Sequence, residues 1–270
     1  MPTESPGWPT DRLRWTATKS VMIRGYELPC SEDLKNQINQ VAGVRSDSAH
    51  FMVKKILWPM FHLKENFMCD GFIEWEVGRR IQKHLEPTTV FLEVGCGDMS
   101  LLRYLPSDKW YNAFDMAFSE FHLRRVLAKP KRTNLALASA TRIPLEPNAA
   151  SLIVSTECFE HIPEIDLAID EIYRVAKPDA LLVCSIPNNF GHMYRVKGPH
   201  SQHVNNWTFE GFKKFMESHN FSFVEGLMKG VWIPLPLGIW KVSKSSYQLP
   251  FRGKSEYYNT NFIYSFRARK

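Results

Sequence analysis

Three groups of residues have the types and spacing to do chemistry. The stretch VFLEVGCGDMSLL, residues 90–102, is an apolar run broken by one acid, Glu93, and followed at once by Gly95, Cys96 and Gly97. Two glycines spaced by one residue let a chain turn sharply out of a strand, and they let a ligand approach the main chain without meeting a Cβ. Amides at the start of the following helix then face that ligand. Further on, WYNAFDMA closes an apolar run with Asp115, where a carboxylate can accept two hydrogen bonds from a ribose diol, and Met116 follows it, placed to pack on an adenine face. The third group is histidine: His161 in CFEHIP, and His192, His200 and His203 in GHMYRVKGPHSQHVNNW. Imidazole titrates near neutrality, which suits it to take a proton from an acceptor.

The glycine turn alone fits either a dinucleotide or another nucleoside ligand. A dinucleotide fingerprint wants a third glycine three places after the second, and that place holds Ser100. Glu93 would repel a pyrophosphate and favour a cation. A dinucleotide-dependent oxidoreductase or epimerase is therefore the second reading.

These residues need a scaffold, and the apolar pattern supplies one. A helical pattern runs through GFIEWEVGRRIQKHL, with Phe72, Trp75, Val77, Ile81 and Leu85 about one turn apart, and Pro87 ends it. Strand candidates follow at Val90–Val94, Trp110–Phe114, Asn134–Ala138, Ser151–Ser155 and Ala180–Ile186. Helical patterns lie between them at Ser119–Ala128 and Ile165–Ala176, the second carried by Leu167, Ile169, Ile172, Tyr173 and Val175. Such alternation predicts an α/β fold: a mostly parallel sheet with helices on both faces and a ligand at the carboxyl ends of its strands. Residues 1–70 read as an N-terminal extension of irregular structure and short helices, one of them polar at Glu32–Val41. Residues 71–270 read as the main domain, with substrate-facing insertions at about 190–208 and 229–258.

Composition narrows the class. The 270 residues are 44% hydrophobic and 23% charged, the profile of a globular protein with a sizeable core. A net charge of +6 and a pI near 9.0 favour anionic partners only modestly. Five scattered cysteines form no CxxC pair, so reduced thiols in the cytoplasm are expected. The N-terminal residues have no secretory pattern, and no apolar run is long enough to span a bilayer. GVWIPLPLGIW, residues 230–240, is too short for that and reads as an apolar loop over a pocket.

In order and spacing, LEVGCGDMS, YNAFDM, ASATRIPLEPNAASLIVSTECFEHI and EIYRVAKPDALLVCSIPN resemble the motifs of class I S-adenosylmethionine-dependent methyltransferases, especially their small-molecule branch. The resemblance covers about Gly71 to Phe223. It implies a Rossmann-like sheet of seven strands whose last strand is antiparallel, with Ser222–Leu227 and Asn261–Ala268 as the last two. It also implies S-adenosyl-L-methionine as cofactor. By position, Glu93, Gly95, Cys96 and Gly97 would surround its methionine part, Asp115 its ribose and Met116 its adenine. Ser139, Ala140 and Thr141 stand where the family commonly has Asp-Ala, so Ser139 replaces an acid. Thr156 and Glu157 would face the methyl group and acceptor. Met99 and Asp179-Ala180 stand where glycines are usual, and the departures at Ser139 and Met99 leave open a noncatalytic relative.

Methyl transfer to a hydroxyl benefits from a base. His203, then His200, is the expected base, with His161 as a further candidate and His192 behind them. His200, His203 and the Glu160-His161 pair do not amount to a complete ligand set, so no metal is expected. The place of the nucleobase amino-methylation motif, Asn/Asp-Pro-Pro-aromatic, reads STECFE, and the Pro-Cys of cytosine C5 enzymes is absent after that strand. A small or medium acceptor is therefore expected rather than nucleic acid: a sugar, phenolic, polyketide or lipid-linked glycan hydroxyl. The basic run LRRVLAKPKR and the tail residues Arg267, Arg269 and Lys270 read as solvated surface. The aromatics Trp207, Trp232, Trp240, Tyr247, Phe251, Tyr257 and Tyr258 suit either a lid over the pocket or a cover on the sheet. The sequence sets no oligomeric state.

Overall fold

The computed structural model describes residues 9–17, 19–23, 26–31, 71–118, 132–234, 246–249 and 251–270. Among the described residues, ten strands form one sheet: β1 Lys19–Ile23, β2 Tyr26–Cys30, β3 Phe91–Val94, β4 Tyr111–Asp115, β5 Thr133–Leu137, β6 Ala150–Thr156, β7 Ala176–Pro187, β8 Phe221–Pro234, β9 Ser246–Leu249 and β10 Asn259–Ala268. Their order is β1-β2-β5-β4-β3-β6-β7-β10-β8-β9. The central run from β5 to β7 is parallel, and β10 lies antiparallel to both β7 and β8. The expected seven strands are thus the run from β5 to β8, with β10, last in sequence, as the antiparallel one.

Three further strands correct the expectation. Part of the N-terminal seventy residues, read as irregular with short helices, forms the hairpin β1–β2, and β2 joins β5 in parallel through Cys30 and Leu137. Gly230–Pro234, read as loop, continues β8, which pairs with β9. The expected helices at Glu32–Val41 and Ser119–Ala128, the rest of the 230–240 segment and most of the LRRVLAKPKR run lie outside the described residues.

The α-helices among the described residues are α1 Gly71–His84, α2 Ile165–Val175, α3 His192–Lys197 and α4 Phe209–Ser218. α1 buries Phe72, Ile73, Val77 and Ile81, while Trp75 is 47% exposed and has the Arg79 guanidinium over its ring. α2 buries Ile165, Ala168, Ile169, Ile172 and Val175, but Leu167 points outward. β3, β6 and β7 bury side chains on both faces, as strands sandwiched between helix layers must.

Two buried asparagines in neighbouring strands show how the N-terminal segment docks. Asn112 in β4 donates to the carbonyls of Phe91 and Asp11 and accepts from the Leu13 amide at 2.8 Å. Asn134 in β5 donates to the Leu13 carbonyl and to Asn112, and accepts from the Trp15 indole at 3.0 Å. A polar side chain in such a place is costly unless paired, and the chain from Asp11 to Trp15 pairs both. The tail is fastened too: Arg267, Arg269 and Lys270 donate to the carbonyls of Asp179, Glu217 and Ala176 rather than standing free in solvent.

Candidate active site

The sheet order reverses between β3 and β6, and a cavity of about 1580 Å³ opens there beyond the carboxyl ends of the strands. At its centre the chain leaves β3 through Gly95 and Gly97, both with positive φ (69° and 46°). The amides of Gly95 and Cys96 donate to the Phe114 carbonyl at 3.0 and 3.2 Å, joining the turn to β4. The Gly97 amide donates to Asp115 Oδ2 at 2.8 Å, and Oδ1 accepts from the Ala117 amide at 3.2 Å. A Cβ on Gly95 would lie 2.3 Å from Cys158 Sγ, whereas one on Gly97 would meet nothing within 4 Å among the described residues. The first glycine is required by packing; the second leaves bare main chain facing open space.

Met99 takes φ 58° just before the 3-10 turn Ser100–Tyr104, with its side chain buried. Asp179 takes φ 63°. At both departures from the family's glycines, the backbone keeps the left-handed conformation that glycine adopts without strain.

Gly95, Cys96, Gly97, Asp115 and Met116 line the cavity. So do Ser139, Ala140, Thr141, Thr156 and Glu157. Ser139 Oγ lies 2.8 Å from Thr141 Oγ1 and accepts from the Thr141 amide, so this hydroxyl shapes its own turn. Glu157, at φ 47°, accepts from Ser185 Oγ at 2.8 Å and from Asn261 Nδ2 at 2.9 Å, which fixes its carboxylate against β7 and β10.

Glu93 is placed differently from the other sequence-predicted residues. It is 1% exposed, does not line the cavity, and accepts a hydrogen bond from the Tyr111 hydroxyl. Burial holds its carboxyl well above the ordinary range, the Tyr111 bond offsetting part of this.

The histidines gather at the other end of the same cavity. His161, His200 and His203 all line it, with ring centroids 4.2 Å apart for His200 and His203 and 4.9 Å for His161 and His203. His161 Nδ1 is 3.0 Å from the Gln202 carbonyl, and His203 Nδ1 is 2.8 Å from Asn189 Oδ1. Burial, then the two neighbouring imidazoles, push His203 down to about 4, so it is neutral at physiological pH. The loop is sewn on by Asn205, whose amide donates to the Phe159 and Ile162 carbonyls, and by the backbone amides of Val204 and Asn205 on the Glu160 carbonyl. His192 stands apart, 3.3 Å from the Tyr257 hydroxyl and 5.7 Å from the Trp232 ring centroid.

Further residues line the cavity beside the sequence-predicted ones, among them Glu160, which enters the sequence reading only as a candidate metal ligand. Glu160 is 1% exposed, lines the cavity, and is pushed up to about 9, mainly by burial and then by Glu157. Asn261 and Leu167 also line it. A polar residue inside the apolar run of β10, and an apolar one on the outer face of α2, were the available signals. Of the expected lid aromatics, Trp207, Trp232, Phe251, Tyr257 and Tyr258 do not line the cavity, and Trp207 packs on Phe212 and Phe215. Trp240 and the Tyr247 side chain lie outside the described residues.

The oxidoreductase reading also has to meet the Tyr-x-x-x-Lys spacing of Tyr173 and Lys177. Neither residue lines the cavity, and the Tyr173 hydroxyl donates to the Arg269 carbonyl at 2.5 Å.

Residues 92–184, from β3 into β7, match the family model described as a methyltransferase domain. Two curated relatives are similar in part. They are the mouse (Mus musculus) mitochondrial protein named arginine-hydroxylase NDUFAF5, 25% identical over 116 residues, and 24-methylenesterol C-methyltransferase 2 of Arabidopsis thaliana, 28% identical over 105 residues. These stretches cover 42% and 37% of this chain but only 34% and 29% of the relatives, so the match spans about a third of their length. A solved structure described as a putative methyltransferase of Bacillus halodurans superposes with a TM-score of 0.55 over 73% of this chain and 99% of its own, at 12% identity, a likeness of fold. With the bare-backbone turn, the acid at the end of β4 and the sheet order in place, residues 92–184 are similar to a methyltransferase domain, about a third of the chain, on a fold shared with solved methyltransferases.

Proposed function

We propose that the protein transfers a methyl group from S-adenosyl-L-methionine to a hydroxyl of a small or medium-sized acceptor in the cytoplasm. The observation that carries this reading is a single cavity with the glycine turn and Asp115 at one end and three histidines at the other. When bound, the cofactor supplies a methyl group already activated on a sulfonium. The protein's share is therefore positioning and exclusion of water. Gly97 offers bare main chain, Asp115 keeps oxygen lone pairs beyond its two backbone donors for the ribose diol, and Met116 offers an apolar face for adenine. Thr156 and the anchored Glu157 stand between that end and the histidines. His203, neutral at working pH, takes the proton of the acceptor hydroxyl, with His200 and His161 beside it.

The breadth of the family argues for testing the acceptor atom directly, since one relative is named for carbon methylation and another for hydroxylation. A noncatalytic binding module is the second reading, favoured by Ser139, which stands in place of an acid and is engaged with Thr141. The purified protein should bind S-adenosylmethionine and not NAD in calorimetric titrations, and should move label from methyl-tritiated cofactor into a small-molecule extract. His203→Ala should lower that turnover at least about tenfold with cofactor affinity near normal, in line with the usual contribution of a general base. Preference for NAD, or cofactor binding without any label transfer, would sink the enzymatic reading.

A further inference from the structure

The histidine end holds a feature that proton transfer does not use. Glu160 lies against the histidines, almost wholly buried, and its Oε2 has no hydrogen-bond partner among the described residues. Its Oε1 is 3.6 Å from His161 Nε2. Ligand atoms of Glu160, His161 and His203 lie within 4.8 Å of one another.

The ring protons follow from the partners. A carbonyl only accepts, so His161 Nδ1 carries a proton and donates it to Gln202, and His203 Nδ1 does the same toward the Asn189 side-chain oxygen. In the neutral rings both Nε2 atoms are then bare lone pairs. This is the arrangement of metal-binding imidazoles, whose second nitrogen is anchored on an acceptor that fixes ring and tautomer.

We propose that Glu160, His161 and His203 bind a divalent transition-metal ion at the acceptor end of the cavity. Two imidazoles and one carboxylate suit zinc, cobalt or iron rather than magnesium or calcium, which prefer oxygen alone. With bonds of about 2.0–2.2 Å, ligand atoms around a tetrahedral ion stand about 3.4 Å apart. The 3.6 Å edge already meets this, and the widest separation needs a contraction of about 1.4 Å. Three protein ligands leave a position open to the cavity, where an acceptor oxygen would be polarised and lose its proton more readily. His161 and His203 would then be ligands, and His200, stacked on His203, would be the histidine left for proton transfer. The sequence expectation of no metal counted Glu160 and His161 without their placement; the fold brings the buried carboxylate of Glu160 together with His161 and His203.

The test needs no methyl transfer, so its outcome is separate from that of the proposed reaction. Untagged protein stripped with a chelator is titrated with Co²⁺, read by visible d–d absorption, and then with Zn²⁺, read by calorimetry and by the melting temperature. One equivalent of Co²⁺ should bind and be displaced by Zn²⁺, and Zn²⁺ should raise the melting temperature. Glu160→Gln should weaken binding at least about tenfold, the paired change His161→Ala with His203→Ala should abolish it, and His192→Ala should leave it unchanged. Near-UV circular dichroism checks that each variant folds. Absence of saturable Co²⁺ binding with no rise in melting temperature would overturn the site, as would binding unaffected by Glu160→Gln and the double change. If the variants do not fold, the wild-type titration and melting shift decide alone.

Discussion

The two ends of the cavity are built by different means. At the cofactor end the walls are strand termini, and the bonds that shape them run from main chain to main chain or to one carboxylate: Gly95 and Cys96 to Phe114, Gly97 to Asp115, Ala138 to the Asp115 carbonyl. At the acceptor end the walls are a loop and a 3-10 turn about forty residues apart, joined largely by side chains: His161 to Gln202, His203 to Asn189, Asn205 to Phe159 and Ile162. A backbone-built wall tolerates exchange of side chains so long as φ and ψ are kept, which Met99 illustrates beside the glycine turn. A wall built of side chains is specific to them. Substitutions should therefore separate the ends.

The largest effect is expected at Gly95. Alanine there must adopt φ 69° and bring a Cβ to 2.3 Å from Cys158 Sγ, so Gly95→Ala should abolish cofactor binding and lower the melting temperature sharply. Adding Cys158→Ala removes the sulfur but not the backbone strain of about 1–2 kcal/mol, so the double variant should recover in part. Full recovery, or no loss in the single variant, would show that the turn is not held by this packing. Next in size is Asp115→Ala, which removes an acceptor for Gly97 and Ala117 as well as the proposed ribose contact. S-adenosylmethionine affinity should fall at least about tenfold by calorimetry, the loss expected of charge-assisted hydrogen bonds.

Asn205→Ala should act on the other end alone. It leaves two carbonyls short of a donor, at a cost of about 1–3 kcal/mol, and loosens the loop carrying His200 and His203. Acceptor turnover should drop while cofactor affinity stays within about twofold, a change of less than about 0.5 kcal/mol. Equal losses in both would mean that the ends are mechanically one.

This contrast also explains what the sequence disclosed. The central strands, α1, α2 and the residues lining the cavity beside the glycine turn were legible because their signals are local: an apolar run, a glycine pair, an acid at a strand end. The hairpin β1–β2 was not, since its place depends on Cys30 meeting Leu137 more than a hundred residues away, and the same holds for the docking of Leu13 on Asn112 and Asn134. At the acceptor end the histidines were visible as residue types, but the partnership of Glu160 with His203 is a property of the folded loop. Trp75 and Leu167 fit the helical period yet face outward, because the period places a stripe but not its edges. Glu93 had the right position in the motif, but its surroundings decide whether it meets the ligand.

Glu93 gives the smallest expected effect and the finest separation between a motif residue and a lining residue. Because the acid lies behind the wall and burial raises its carboxyl well above the ordinary range, Glu93→Gln should change S-adenosylmethionine affinity by less than about threefold, or about 0.65 kcal/mol, far less than Asp115→Ala. Glutamine keeps an oxygen for the Tyr111 hydroxyl, so the fold should persist. The pH response then shows whether the carboxyl is protonated. An acid whose folded pKa lies above its unfolded value of about 4.3 binds more protons when folded, so its stabilising effect is complete at low pH and is lost as pH rises toward the raised value. Glu160 adds a slope of the same sign up to about 9, but it does so in wild type and variant alike. The difference between the two melting curves across pH 5 to 8 therefore isolates Glu93: the variant should gain on the wild type as pH rises. A variant that loses ground instead, together with tenfold weaker cofactor binding, would put a charged Glu93 at the ligand and return the residue to the cavity wall.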